Sequence, residues 1–443
     1  MFAEVIAEPG KIGIGIGAAL PPMLRAPRTA EETGLSQPFL VELIAKKLFV
    51  CGQMKLAELS AHIKLNVSVL DALIGFLRAE KLCEVTRRGG SGTDADLTYN
   101  LTDLGRIRAA EFIKQNAYCG PAPVTLAAYC AQVEAQSLAH MPVLRTDVAR
   151  AFDNIVVSPV VLDQLGAAMN SRKAIFFHGA AGTGKTYLAE RLSKLLQGAI
   201  LVPHALIVDG EVVQIHDPMI HRVLAAAPQA PLGLDKRTLL DARWVPCARP
   251  AVLTGGELML DMLDLQFDPS TRFYQAPPHL KANNGIFIID DLGRQRCSAT
   301  ELMNRWIVPM DRQIDYLALH TGHKFLVPFD VIVVFSSNFP PEQLADDSFL
   351  RRLGNKIHVG ALTESEYERI FRQVCEQYDT PYCGDALHYL LQQHHYKKGR
   401  ALLACHPRDI LTQVRDLARY EGKAPSLDER TLDWAWNNCF IGS

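Results

Sequence analysis

The sequence contains ten cysteines but no C-x-x-C pair; its closest two, Cys375 and Cys383, lie eight positions apart. Zinc modules need tighter paired spacings, and disulfide scaffolds are much shorter chains, so neither class fits. The thiols read as buried and free in a reducing cytosol. Cys405-His406 and His394-His395 lack the second half of any metal-ligand pattern. Long apolar runs are missing too: nothing reaches the roughly 18 residues a membrane span needs. A formal net charge of −2 gives no general attraction to nucleic acid or to anionic membranes. The opening "MFAEVIAEPGKIGIGIGAALPPM" has Glu4 where a signal peptide carries basic charge, and glycine breaks its apolar stretch. Internal repeats and low-complexity tracts are absent. What remains is an ordinary cytoplasmic globular composition, 48% hydrophobic and 21% charged. At 443 residues the chain exceeds one usual core, so two or three domains are expected.

Residues 1–36, rich in Gly, Pro and Ala, read as a flexible leader. From there the pattern tightens. "PFLVELIAKKLFVCG", "MKLAELSAHIKL" and "NVSVLDALIGFLRAEKL" have helical periodicity, and Ser68 followed by Asp71 suggests a capping box on the third helix. Val69, Leu70, Leu73, Ile74 and Leu77 form its expected buried face. "CEVTRR", the turn "GGSGTDA" and "LTYNLT" read as strand, loop and strand, and "DLGRIRAAEFIKQ" as a closing helix. Three helices and a β-hairpin over 37–115 resemble a winged helix-turn-helix domain. Two uses stay open for it. A DNA reader needs basic and amide side chains on its third helix. Here the exposed side offers Asp71, Ala72, Gly75 and Arg78, Arg87 and Arg88 at the wing are the only basic pair beside it, and 11 Lys/Arg face 9 Asp/Glu over 37–115. Docking of a protein is therefore the favoured use and DNA the alternative. Residues 116–148 read as a helical linker, 149–360 as an α/β region with a parallel sheet flanked by helices, and 361–443 as helices only.

The chemistry concentrates in the α/β region. "AIFFHGAAGTGKTYLAERLSKLL" places Gly179-x-x-x-x-Gly184-Lys185-Thr186 between an apolar strand and an amphipathic helix. This is the context a phosphate-binding P-loop requires. Gly179, Ala180, Ala181, Gly182, Thr183 and Gly184 would turn backbone N–H groups toward phosphates, with Tyr187 beside them. Lys185 would supply positive charge, and Thr186 a hydroxyl for Mg²⁺. "GIFIIDDLGR" is a buried strand delivering Asp290 toward the metal and Asp291 toward a water; "FDVIVVFSSNFPP" is another, ending in Asn338. "DDSFLRRLGNKI" presents Arg351 and Arg352 on a short helix.

The order of these pieces resembles AAA+ ATPases over residues 149–443. The resemblance implies ATP and Mg²⁺ as ligands and hydrolysis of ATP to ADP and phosphate. It puts Lys185 and Thr186 in Walker A, Asp290 and Asp291 in Walker B, and Asn338 at sensor 1. Arg352, with Arg351 beside it, takes the arginine-finger position, and Arg408 in "HPRDIL" that of sensor 2 at the start of a helical lid. "FDNIVVSP" matches the adenine-packing segment, with Ile155 and Val157 as its apolar residues. The family usually forms rings, commonly hexamers. Asp291 departs from the usual Glu; a shorter carboxylate that still orders water implies a competent, slower enzyme. The stretch near 200–280 exceeds the family's minimal core and includes "ALIVDGEVVQIHD", a hairpin turning at Asp209-Gly210. A helix and a hairpin around "LHTGHKF" resemble the pre-sensor-1 hairpin branch, which includes MoxR-type, magnesium-chelatase and replicative-helicase ATPases. That likeness makes His320, His323 and Lys324 partner-contact residues. The function it implies is a chaperone-like remodeller of a protein held by residues 37–115; a DNA-associated ATPase or a slow nucleotide-gated scaffold are the alternatives.

Overall fold

The computed structural model describes residues 24–87, 97–224, 240–344 and 347–440. Arg88, the "GGSGTDA" turn and part of the 200–280 stretch lie outside them. Two compact units interleave along the chain. Among the described residues, the first comprises those up to Val124, with Gln197–Ala205 and His221–Arg249; the second takes the rest.

In the first unit, Ser36 caps the helix Gln37–Cys51 by accepting from the Phe39 N–H. Helices Leu56–Ile63 and Val67–Ala79 follow. The third buries Val69, Leu70, Leu73, Ile74 and Leu77, the face its periodicity predicts. Its expected capping box does not form. Asn66 is the N-cap, and Ser68 lies inside the helix, donating to the Arg28 carbonyl, while Asn66 donates to that of Pro27. The chain at 27–28 takes both side chains as donors. Strands Cys83–Arg87 and Thr98–Leu101 pair antiparallel, and Met54–Lys55 adds to the second of them. Thr102 caps the helix Asp103–Gln115. Gly105 is required there, since a Cβ would stand 1.9 Å from the Leu82 carbonyl oxygen.

Strands Ala199–Pro203 and Trp244–Ala248 pair antiparallel in the same unit. Just before the second, Arg243 is 6% exposed and held by Asp241 at 2.8 Å, by the Thr33 carbonyl at 2.9 Å and by that of Pro123 at 3.2 Å. One guanidinium thus gathers three separate stretches of chain.

The second unit is built on a five-stranded sheet, ordered Ala251–Thr254, Gly285–Ile289, Val331–Ser337, Ile175–His178, Asn355–His358. Every neighbouring pair is parallel. Side chains alternate between two covered faces, as parallel sheets require. Ile175, Phe177, Ile286, Ile288, Ile332 and Val334 meet Leu165 of helix Pro159–Ser171 and Leu188 of helix Lys185–Arg191. Phe176, Phe287, Ile289, Val333 and Phe335 meet Leu302 and Trp306 of helix Ala299–Arg312. This is the α/β fold with helices on both faces that the sequence implies. The expected hairpins form, Ile314–Ala318 with Lys324–Pro328, and Ala205–Val208 with Glu211–Gln214. Asp209 and Gly210 turn the latter with φ of 50° and 80°. Among the described residues no single helix is long and apolar enough to cross a membrane.

Helices Glu364–Gln377, Gly384–Tyr389, His406–Glu421 and Glu429–Cys439 share a core around Tyr367, Phe371, Ile410, Leu411 and Trp436. Into it are built His395, which accepts or donates with the Tyr367 hydroxyl at 3.1 Å, and His406, 5.4 Å away ring to ring. Burial above all pushes both down to about 4; at His395 the Arg400 carbonyl opposes it while His394 and the Arg400 charge add to it, and at His406 the His395 and Arg400 charges add to it.

Two outcomes are expected. Arg243→Met, by stranding Asp241 in the interior, lowers the urea stability of the first unit by about 3–5 kcal/mol. The two histidines are neutral in the fold and take protons more readily once unfolded. Stability is therefore full above about pH 6.5 and lost as pH falls toward 4, by on the order of 2 kcal/mol for each. Thermal unfolding across that window checks it: the double variant His395→Phe/His406→Phe has the flatter profile.

Candidate nucleotide site

Three sheet neighbours, Ile175–His178, Val331–Ser337 and Gly285–Ile289, end side by side, and each is followed by a turn carrying a polar residue. The first turn is the glycine loop. Gly179 has φ of 147°, and a Cβ would stand 2.2 Å from the Val359 carbonyl oxygen; Gly182, φ 85°, has the Cys405 sulfur 2.6 Å from the same position. Any other residue would fill the space that brings loop backbone against its neighbours. Gly184 begins the helix Lys185–Arg191, whose N-terminal N–H groups face the loop.

Lys185 is 5% exposed, and its ammonium donates to the Gly179 carbonyl at 3.0 Å, the Ala180 carbonyl at 2.8 Å and Asn338 Oδ1 at 2.9 Å. The Asn338 amide then donates to Asp291 Oδ1 at 3.0 Å. Asn338 thus links the cation to the second acid. Burial pushes the Lys185 ammonium below the usual lysine range, while Asp291 and Asp290 pull it back up. Thr186 donates its hydroxyl to both Asp290 oxygens, at 3.0 and 2.9 Å.

The acid turn is closely specified. Asp290 N–H donates to Thr254, at the end of the neighbouring strand, and Leu292 N–H to the Ser336 carbonyl. Asp291 has φ of 49°, the left-handed region that Asp tolerates better than most residues. That turn lets the two adjacent acids serve different partners, Thr186 and Asn338.

Other expected residues fall into place unequally. Thr183 is buried and donates to the Ala180 carbonyl at 3.0 Å, and Tyr187 is half exposed. Ile155 and Val157 pack beside the core that contains Leu188 and Leu192. Arg408 is exposed in the first turn of His406–Glu421, directly after Cys405, whose N–H donates to the Gly182 carbonyl at 3.1 Å. The helix start is thereby fixed against the phosphate loop. The arginine pair is a correction: the short helix ends at Leu350, and Arg351 and Arg352 lie in the turn after it. The helix stops short because the chain must enter the outer strand Asn355–His358 within a few residues. Arg352 pairs with Asp311 at 2.7 Å, whereas Arg351 is exposed. At the hairpin tip, His320 stacks on Phe267 at 4.3 Å and bonds the Tyr274 hydroxyl, while His323 and Lys324 are exposed.

Two features were missed. His178 and His358 close neighbouring strands with rings 5.1 Å apart; burial first, then His358, lowers the His178 imidazole, Glu342 opposes and Lys185 reinforces. Gln295 braces the acid turn through its side-chain amide. Neither residue stands in a pattern that spacing would reveal.

A glycine loop leading into a helix N-terminus, a buried ammonium, a hydroxyl–carboxylate pair and a second carboxylate next to an amide converge here, groups chemically suited to an anionic oxygen ligand and a hard cation. A family described as a domain of unknown function, DUF8689, matches residues 363–438, which hold the C-terminal helices. No curated protein matches the chain. Among solved structures, NtrX from Brucella abortus is similar with TM-score 0.38 and 15% identity, over 64% of this chain and 56% of that one. Two mutants of RuvB from Thermotoga maritima give TM-scores of 0.38 and 0.39 with 13% and 12% identity, each over 66% of this chain and 72% of that one. Likeness at this level transfers no activity to this chain.

Gly182→Ala tests the loop. A methyl meets the Cys405 sulfur in a backbone conformation that costs about 1–2 kcal/mol outside glycine. The variant is expected to unfold at lower temperature, and Cys405→Ala to restore part of the loss.

Proposed function

We propose that this protein is a P-loop ATPase of the AAA+ type that binds ATP with Mg²⁺ and hydrolyses it. The hydrogen-bond chain Lys185–Asn338–Asp291, flanked by Thr186 on Asp290, is the observation that carries the reading. Loop N–H groups and the Lys185 ammonium neutralise the β- and γ-phosphates. Thr186 and Asp290 fit a hard, oxygen-ligated cation; bound there, Mg²⁺ supplies charge neutralisation of the phosphate oxygens. Asn338 donates to one oxygen of Asp291, which leaves the other to orient the attacking water. Catalysis of this kind depends on positioning and charge. A carboxylate one methylene shorter than Glu therefore suffices when its carrier is as fixed as this turn. Arg408 completes the charge on the lid side.

Further parts of the reading rest on the resemblance. The working form is a ring in which Arg351, the exposed member of its pair, reaches the site of the next subunit. Residues 37–115 form a winged-helix module that docks a protein. Supporting this, the third helix exposes Asp71, Ala72, Gly75 and Phe76, with Arg78 its sole cation. The hairpin Ile314–Ala318/Lys324–Pro328 belongs to the pre-sensor-1 type and brings His323 and Lys324 to the partner, which ATP turnover remodels.

Two variants test the chemistry. Lys185→Ala removes the thermal stabilisation given by MgATP to the full-length protein. Asp291→Asn keeps that stabilisation and loses turnover by about a hundredfold or more. Unchanged phosphate release from Asp291→Asn would remove that residue from the mechanism.

A further inference from the structure

The acid turn is braced by a residue the phosphate-loop pattern does not contain. Gln295 Oε1 accepts the Gly293 N–H at 2.9 Å. Its Nε2 donates to the Asp290 carbonyl at 2.9 Å and lies 3.3 Å from the Asp291 carbonyl and 3.4 Å from that of Gly255. One amide thus ties both acids' backbone to each other, to Gly293 beyond them and to the end of the neighbouring strand. The geometry also explains why the residue is an amide. A carboxylate would set negative charge against three carbonyl oxygens and lose the donor, whereas a methionine of similar length would keep the shape and lose every bond. Asparagine has the groups but lacks a methylene of reach.

What these bonds hold is a conformation that a non-glycine residue resists. Asp291 sits at φ 49° and Gly293 at φ 101°. Opposite Gln295, Ser337 donates its hydroxyl to the Leu292 carbonyl at 2.8 Å. The turn is clamped from both sides, and the consequence falls on one atom, Asp291 Oδ1, which receives the Asn338 amide.

We propose that Gln295 is a positioning residue for hydrolysis: it holds the left-handed acid turn so that the Asp291 carboxylate faces Asn338 and the water. The proposal rests on the ATPase reading above, and Gln295 itself touches no substrate. Asp290 keeps its N–H on the Thr254 carbonyl and its carboxylate on Thr186 without Gln295, whereas Asp291 sits in the left-handed turn, so loss of the brace falls on Asp291 and turnover more than on binding.

The test compares full-length wild type, Gln295→Met, Gln295→Glu, Asp291→Asn and Asp291→Asn/Gln295→Met with MgATP. Expected is a kcat about tenfold or more below wild type for Gln295→Met, lower again for Gln295→Glu, with KM within about twofold. The double variant is expected to be no slower than Asp291→Asn alone, because Gln295 acts through Asp291. Hydrogen exchange at the Gly293 amide, which needs no turnover, is expected to quicken in Gln295→Met. An unchanged kcat, a rise in KM matching the fall in kcat, or unaltered Gly293 exchange would each overturn the proposal. A wild type without turnover but with quickened Gly293 exchange in Gln295→Met would instead overturn the hydrolysis reading and leave the brace standing.

Discussion

Everything at the site depends on one side chain meeting two opposite charges. Asn338 accepts from the Lys185 ammonium with its oxygen and donates to Asp291 with its nitrogen. Few side chains can do both at once. Aspartate would repel Asp291, and leucine would leave a nearly buried ammonium short of an acceptor, which is costly in a low-dielectric setting. The bridge exists only because the asparagine strand lies between the other two. Its register, Ile289 beside Phe335 and Ser337 beside His178, sets all three turns level. The two-sided apolar core fixes that register, since a one-residue slip would turn each strand's side chains onto the wrong face. Packing therefore positions the charges.

Much of this was legible in the sequence, and the reason differs by element. The glycine loop is local: its glycines, lysine and threonine are contiguous, and their conformations follow from neighbours in the chain. The acid strand is legible as a short apolar run ending in charge. The third helix of the first unit shows its buried face by periodicity alone. What the sequence hides is juxtaposition. Lys185 and Asn338 are 153 positions apart, and parallel strands buried on both faces carry no mark of their order. The contact of Cys405 with Gly182 and the bracing by Gln295 are likewise tertiary facts carried by unremarkable residues.

The failures have local causes. Ser68 and Asp71 have the spacing of a capping box, but Asn66 already caps the helix and the chain at 27–28 claims the serine hydroxyl. The arginine pair follows a segment with helical spacing, yet the outer strand begins too soon for a second turn, so both arginines sit in a connection. In each case the local pattern was sound and a tertiary partner outweighed it. The long stretch between the loop and the acid strand also divides between the two compact units, one part supplying Arg243 and the other the hairpin that turns at Asp209.

The central claim is that Asn338 joins nucleotide charge to the hydrolytic carboxylate. Phosphate release from MgATP by Asn338→Ala, measured beside equilibrium ATP binding on the same full-length preparation, tests it most directly. Binding retained within severalfold with turnover reduced by about a hundredfold is the predicted result. Turnover at the wild-type rate in Asn338→Ala would contradict it.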